Sequence, residues 1–229
     1  MSTATRLAEP LLDRWLAHAP ALAPEAGPDL WLAEGSLLLR GWSEPHRRYH
    51  TLQHLAEVLA ALDELAQALP LSPADATVAR AVGWYHDLAY APRAAAGSNE
   101  HRSATLARDH LHRLGVDGDV VDAVEAGVLM TAGHEVEPGQ RHTPVLGAFH
   151  DADLWILSAP SDRYEEYRRQ VREEYAHVPE VDFRRGRAAV LQPFLTRPRI
   201  YRTAHAREHW EQGARANLAA ELAELADGG

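Results

Sequence analysis

The sequence predicts an all-α protein, and three observations support that prediction. Apolar residues recur at the three- and four-residue spacing of helices along almost the whole chain. No stretch alternates apolar and polar residues as a half-buried strand does. Proline, glycine and capping residues divide the chain into about nine to ten segments of helical length. At 229 residues, one helical domain is the simplest architecture that fits.

The first helices are predicted over residues 7–17 and 29–40, where a Pro- and Ala-rich link separates them and Gly41 ends the second. A third helix opens in the segment RRYHTLQH, residues 47–54, and reaches residue 69 with a leucine stripe as its core face. His50 and His54 are four residues apart in this segment. The two imidazoles are therefore expected to point the same way.

The segment SPAD, residues 72–75, predicts the start of a fourth helix. Ser72 suits the N-cap, proline the first helical position and aspartate the first turn. This helix is expected to carry the segment AVGWYHDLAY, in which adjacent His86 and Asp87 follow an apolar run. Burying either side chain unpaired costs several kcal/mol, so both need a compensating partner. A divalent metal ion is such a partner, because imidazole and carboxylate both bind borderline or hard cations.

The remaining helices are predicted over residues 99–114, 120–131, 145–157, 161–175, 182–195 and 204–226. Small residues at 91–98 and polar residues at 139–144 indicate loops. Asp151 and Asp153 lie within the apolar segment 145–157, and Ser161 is expected to cap the helix that follows.

Composition excludes several classes of site. Cysteine is absent, so disulfides, thiolate metal sites and cysteine nucleophiles are excluded, and any metal must be held by His, Asp or Glu. Lysine is absent as well, which excludes Schiff-base chemistry. A formal charge of −10 argues against general nucleic-acid binding. No signal peptide or bilayer-spanning run is recognised, so we expect a cytoplasmic protein that does not bind membranes.

Four polar residues stand on otherwise apolar segments in the order His54, His86, Asp87, Asp153. This order resembles the HD superfamily of metal-dependent phosphohydrolases. The chain resembles more closely a bacterial family described as predicted HD phosphohydrolases. The matching stretches span about residues 42–217 and include EPHRRYHTLQH, WYHDLAY, SNEHRSA, TAGH, DADLWIL, YEEYRRQVREEY and FRRGRAAVLQPFL.

The resemblance implies an HD-domain-like helical bundle, with a core at about residues 42–160 and C-terminal helices at 161–226 packed on it. It further implies that one divalent metal ion, of Mn, Ni, Co, Fe, Zn or Mg, is bound by four ligands. These ligands would be His54, His86, Asp87 and Asp153. The resemblance favours Asp153 over Asp151 as the last ligand, because Asp153 opens the stretch DLWIL, which is typical of the superfamily's final aspartate.

The implied function is hydrolysis of a phosphate ester or anhydride of a small molecule, with a nucleotide as one option. A metal ion suits this reaction because it neutralises phosphate oxygens and lowers the pKa of its bound water. Arg47 and Arg187 are candidate phosphate ligands, and Asn99 is a candidate substrate contact. Proton transfer is assigned to three candidates, which are Glu100, His134 and His50.

Simpler interpretations compete with each assignment. The chain has 14 histidines, and a single histidine is more often exposed or hydrogen-bonded than bound to metal. Glu100 suits the acidic first turn of a helix, and Arg47 and Arg187 suit ordinary surface cations. Two other functions also stay open. One is a non-catalytic metal- or nucleotide-binding regulatory module. The other is a di-iron oxygenase of the HD fold, which would need extra histidine ligands that His101 and His134 could supply.

Overall fold

Helices make up all the regular structure in the computed structural model, which describes residues 3–134 and 142–227. The all-α prediction is therefore confirmed for the described residues. Two short 3₁₀ helices cover Ala19–Leu22 and Leu154–Ser158. The α-helices are α1 (Thr3–His18), α2 (Pro28–Trp42), α3 (Leu52–Ala68), α4 (Pro73–Tyr85), α5 (Ser98–Arg113), α6 (Gly118–Met130), α7 (Thr143–Asp153), α8 (Ser161–Glu174), α9 (Glu180–Thr196), α10 (Ala204–His209) and α11 (Glu211–Asp227).

Capping side chains explain where several helices begin. The Ser72 hydroxyl accepts a hydrogen bond from the Asp75 backbone N–H at 3.0 Å, which confirms the predicted start of α4. Thr51 caps α3 in the same manner, by accepting from the Gln53 N–H. The prediction for Ser161 was wrong, because Pro160 is the cap of α8 and Ser161 is already helical.

Three predicted helices end or divide earlier than expected. Helix α4 stops at Tyr85, so the His86–Asp87 pair lies in the turn that follows it. The segment predicted as one helix over 145–157 changes from α to 3₁₀ geometry after Asp153. The last predicted helix, 204–226, is interrupted at the buried residue Trp210. The predicted loop 139–144 lies mostly outside the described residues, and Thr143 already begins α7.

Helices α3, α4 and α7 form the centre of the fold and pack on one another pairwise, with α6 covering α4 and α7. Gly127 permits the close approach of α6, since a β-carbon there would lie 2.6 Å from Val82 Cγ1. Gly83 serves α3 in the same way, because its β-carbon would lie 3.3 Å from Leu62 Cδ1. Side chains of these helices fill the core, together with Trp15, Trp31 and Trp42 from α1 and α2.

The C-terminal helices contact this centre mainly through the 3₁₀ helix Leu154–Ser158. Helices α8 and α11 both pack against it, and α9 packs on α11. At the contact with α11, a β-carbon at Gly213 would lie 3.2 Å from the Ser158 carbonyl oxygen. Helix α9 is thereby held apart from the centre, and a cavity remains between them. None of the helices among the described residues combines the length and the apolar character needed to cross a bilayer.

Candidate metal centre

The three central helices bring distant polar side chains to one point. His54 lies in the first turn of α3, His86 directly follows α4, and Asp153 is the last residue of α7. Because α3, α4 and α7 pack pairwise, these positions converge although they are far apart in the sequence. His54 and His86 are buried, and the side chain of Asp153 is 11% exposed.

The ligand atoms of these three residues form a compact group. His54 Nε2 lies 3.2 Å from His86 Nε2. Asp153 Oδ1 lies 3.3 Å from His54 Nε2 and 3.4 Å from His86 Nε2. All three atoms lie within 4.8 Å of one another, so the group could hold a metal ion. Two imidazoles and a carboxylate suit a borderline divalent cation such as Zn²⁺, Mn²⁺ or Fe²⁺.

Hydrogen bonds at the far side of each imidazole fit this use. His86 Nδ1 lies 2.8 Å from the Gly83 carbonyl oxygen, which can only accept, so Nδ1 carries the proton. In the neutral ring, the Nε2 lone pair then points into the group. His54 Nδ1 is paired with the Tyr49 hydroxyl at 3.0 Å, which also directs its Nε2 inward. Two buried Nε2 atoms that face each other are well matched to a shared cation.

Electrostatics favour positive charge at this point. Burial alone would raise the pKa of the Asp153 carboxyl, but the neighbouring His86 outweighs it and holds the pKa well below its ordinary value. Burial lowers the pKa of His54, which favours the neutral imidazole that a metal requires. An ionised carboxylate beside a neutral imidazole is the protonation state of a metal site.

Asp87 lies beside the group of three. Its Oδ2 is 3.2 Å from His86 Nε2 and 3.9 Å from His54 Nε2. It also faces His50, whose Nε2 lies 3.8 Å away. The sequence-predicted ligand therefore reaches the site, and its carboxylate adds a second negative charge to it.

Asp151 has a different role from Asp153. Its carboxylate is fully buried and accepts hydrogen bonds from the backbone N–H groups of Arg202 (2.8 Å) and Thr203 (2.7 Å). It also pairs with His150 Nδ1 at 2.8 Å. Asp151 thus anchors the chain just before α10, and only Asp153 of the two aspartates joins the candidate metal group.

A cavity of about 560 Å³ opens above the group, between the centre of the fold and helices α8 and α9. A volume of this size is typical of sites for small molecules. Eight of the ten sequence-predicted site residues line it. They are His50, His54, Asp87, Asn99, Glu100, His134, Asp153 and Arg187.

Two polar atoms of this lining are buried without a hydrogen-bond partner, Glu100 Oε2 and His134 Nδ1. Such atoms are rare in native proteins and are often explained by a catalytic role or a bound molecule. Burial lowers the pKa of His134 to about 4, so its imidazole is neutral at pH 7. Both residues are therefore free to exchange a proton or a hydrogen bond with a molecule in the cavity.

His50 is oriented by a residue that sequence reasoning missed. Glu174, at the end of α8, accepts a hydrogen bond from His50 Nδ1 at 2.7 Å and from the Tyr90 hydroxyl at 2.8 Å. The same carboxylate accepts the backbone N–H groups of Arg48, Tyr49 and His50 at 2.8–3.1 Å. His50 Nε2 consequently faces Asp87 at the cavity.

The charge on His50 follows from these neighbours. Burial lowers the pKa of His50, but Asp87 and Glu174 together outweigh it, and the pKa lies above its ordinary value. A sequence signal for Glu174 exists, because it continues the buried face Tyr164, Tyr167, Val171 of α8 as that face's only carboxylate.

The two predicted phosphate-binding arginines are already paired. Arg47 does not line the cavity, since its fully buried guanidinium donates to the carbonyl oxygens of Asp87 and Leu88 at 2.8 Å and to Glu44 at 3.0 Å. Arg187 lines the cavity but pairs with the buried Glu221 at 2.8 Å. The first arginine fixes the turn that carries Asp87, and the charge of the second is neutralised by its partner.

Asn99 and His101 also have contacts within the protein. The Asn99 side-chain amide pairs with both backbone groups of Ala91, at 3.1 Å and 3.2 Å, and so closes the loop before α5. His101 is exposed and its Nδ1 lies 2.7 Å from the Gly97 carbonyl oxygen. The structure therefore does not bring His101 to the centre, as the di-iron alternative would require.

Comparisons with family models, with curated proteins and with solved structures return no significant match to this chain.

Proposed function

We propose that this protein is a metal-dependent hydrolase of phosphate esters or anhydrides. The observation that carries the proposal is the group of His54, His86 and Asp153 at a cavity with an unpaired, buried carboxylate oxygen on Glu100. A divalent ion held by this group would supply a charge that attracts phosphate and a bound water of lowered pKa.

The protein's own side chains suit the two proton transfers of hydrolysis. When water attacks phosphorus, an O–P bond forms and the water loses a proton, for which the unpaired Glu100 Oε2 in the cavity lining is the proposed acceptor. When the ester P–O bond breaks, the leaving oxygen needs a proton. His50 suits that role, because Asp87 and Glu174 outweigh burial and raise its pKa above the ordinary value, which favours the protonated imidazole. Neutral His134 suits a hydrogen bond to a phosphate oxygen.

The first test is metal content, followed by turnover. Protein purified without added metal is analysed for Mn, Fe, Co, Ni and Zn, and is then incubated with Mn²⁺, Ni²⁺, Co²⁺ or Mg²⁺ and a broad panel of phosphate compounds. We expect about one ion per chain and metal-dependent phosphate release that is lost in Glu100→Gln. Retained metal with no turnover on any compound would instead indicate a binding module.

A further inference from the structure

The cavity above the candidate metal group has two kinds of lining. One part carries the polar residues described above. The rest, here called the apolar wall, consists of side chains from α8, α9, the link between them and the 3₁₀ helix. Its members are Leu154, Ile156, Leu157, Val171, Val178, Phe183, Val190, Leu191 and Phe194. Side chains of this composition bind the apolar part of a ligand by removing apolar surface from water, and they offer it no hydrogen bonds.

Several neutral polar side chains in the lining are already engaged within the protein. The Tyr49 hydroxyl pairs with His54 Nδ1 and the Tyr90 hydroxyl donates to Glu174. Asn99 holds both backbone groups of Ala91, and the Thr131 hydroxyl donates to the Val128 carbonyl oxygen at 2.7 Å. A nucleobase has several donors and acceptors that lose their water on binding. Against the apolar wall these groups would find no partners, and buried unpaired polar groups weaken binding.

The charges of the lining also select against polyanions. Four carboxylates line the cavity, those of Asp87, Glu100, Asp153 and Asp182. Arg187 is the one arginine of the described lining, and Glu221 neutralises it. A single divalent ion can balance one phosphate group, whereas the extra charges of a di- or triphosphate would face carboxylates.

From this lining we infer that the substrate is a phosphate monoester with an apolar alcohol part, an alkyl or aryl phosphate rather than a nucleotide. This inference rests on the proposed function. It places the phosphate at the group of His54, His86 and Asp153, and the apolar part against α9. Val190 marks the outer end of the apolar wall, since it lines the cavity and is still 58% exposed.

The inference is tested by binding, measured by calorimetry on the Mn²⁺-loaded full chain with methyl phosphate, n-octyl phosphate and ATP. Each fully buried methylene strengthens binding by about fourfold, so octyl phosphate should bind at least about tenfold more tightly than methyl phosphate. ATP should bind more weakly than octyl phosphate. Equal binding of the two esters, or tighter binding of ATP, would overturn the inference.

Helix α9 offers a matched pair of variants. Val190→Asn places an uncharged polar group on the apolar wall and should reduce the ratio of octyl to methyl phosphate affinity by about threefold or more. Val181→Asn is the control, because Val181 is 76% exposed on the same helix and does not line the cavity. Both positions are exposed, so neither variant should affect folding. A ratio that is unchanged in Val190→Asn would contradict the placement.

The same titrations on chelator-treated protein separate this inference from the proposed function. A chain-length effect that persists without any dependence on metal would contradict the proposed function and leave the apolar site standing. Dependence on Mn²⁺ without a chain-length effect would overturn the inference alone. If none of the three phosphate compounds binds to the metal-loaded protein, both are wrong.

Discussion

Asp151 and Asp153 show how two neighbouring carboxylates acquire different roles from the atoms that face them. Asp153 Oδ1 faces two imidazole nitrogens within 3.4 Å, whereas the Asp151 carboxylate faces two backbone N–H groups within 3.0 Å. The first arrangement suits a shared cation, and the second satisfies the carboxylate with backbone donors. A residue's chemical type therefore does not decide its role, and its partners do.

Substituting each aspartate by asparagine should separate the two roles. In Asp153→Asn we expect metal affinity to fall by at least about tenfold, because the charged ligand is lost. In Asp151→Asn we expect the metal to be retained and the free energy of unfolding to fall by about 1–3 kcal/mol, because a side-chain N–H₂ group would face backbone N–H donors. Elemental analysis and urea denaturation measure the two effects. Loss of metal in Asp151→Asn alone would reverse the assignment.

The environment of Glu174 predicts that the free energy of unfolding depends on pH. Burial alone would raise the pKa of Glu174. Hydrogen bonding to His50 and to backbone N–H groups outweighs burial and lowers this pKa to about 2, from an ordinary value of 4.5. Because the folded pKa is depressed, the ionised carboxylate stabilises the fold above about pH 4.5, and this stabilisation disappears as the pH falls toward 2. A shift of this size corresponds to about 3 kcal/mol.

The variant Glu174→Gln makes that contribution measurable. The difference in unfolding free energy between wild type and variant should be largest near neutral pH and should shrink as the pH falls below about 4.5. Glu173→Gln is a matched control, since the neighbouring Glu173 is half exposed and lies only at 4.0 Å from Arg169. A difference for Glu174→Gln that stays constant from pH 7 to pH 3 would contradict the ionic origin of the effect.

Site residues are predictable from the sequence when they stand out from their own segment, and not when only distant partners define them. His54, His86 and Asp153 stand out because each is a polar residue in an apolar segment, which is visible without knowing its partners. Glu174 contacts residues more than 120 positions away, and in the sequence its only mark is that it continues the apolar face of a helix rich in charges. Arg47 and Arg187 were placed at the phosphate because their partners could not be predicted.

At the scale of helices, the 3.6-residue period of apolar residues predicts that a helix exists better than it predicts where the helix ends. Helix α4 was extended through Asp87, because no glycine or proline marks its end at Tyr85. The interruption at Trp210 likewise lacks a local signal, and there the buried indole packs against Tyr201 with ring centroids 5.7 Å apart. Tertiary packing sets both ends, so the sequence alone cannot show them.

The chain just after helix α6 adopts a left-handed conformation at His134, a residue that also lines the cavity. His134, just past its end, has φ of +50°, and its N–H donates to the Met130 carbonyl oxygen at 2.8 Å. This left-handed capping position normally favours glycine. Contacts of its carbonyl oxygen with Arg197 (3.4 Å) and Arg202 (3.1 Å) help to hold it. A histidine kept in such a conformation is consistent with the role proposed above for its imidazole in the cavity.

Truncating this histidine in two ways tests that interpretation. His134→Gly and His134→Ala both remove the imidazole, and both should lower any phosphatase activity. The glycine variant should be more stable than the alanine variant by about 1 kcal/mol, because only glycine adopts positive φ without strain. Thermal denaturation measures the order. Gly186 in α9, with open space around it, is the control site, where alanine should be the more stable residue.

For the whole molecule, the candidate metal group joins three helices that pack on one another pairwise. His54, His86 and Asp153 come from α3, from the turn after α4 and from α7, and these helices form the centre of the fold. In the unfolded chain the three residues are far apart, so an ion that binds them together binds only the folded state. Its binding energy then stabilises the whole fold.

Metal binding should therefore raise the thermal stability of the entire chain. At a free Mn²⁺ concentration about one hundred times the dissociation constant, the expected gain is about 2.7 kcal/mol. For a chain of 229 residues this corresponds to a rise in Tm of about 5–10 °C. Scanning calorimetry with Mn²⁺ and with a chelator measures the difference. The variant Asp153→Asn should lose at least about half of the rise. Asp151→Asn should start from a lower Tm but show the full rise on Mn²⁺ binding.

Hydrogen exchange distinguishes this global effect from a local one. If the ion links the central helices, slow-exchanging amides of α3, α4 and α7 should all gain protection on Mn²⁺ binding, by similar factors, because they exchange only through global unfolding. Amides of α9, which packs on α11 and lies across the cavity, should gain protection mainly when octyl phosphate is also present. Protection by Mn²⁺ confined to the turn after α4 would show that the ion binds without connecting the three helices.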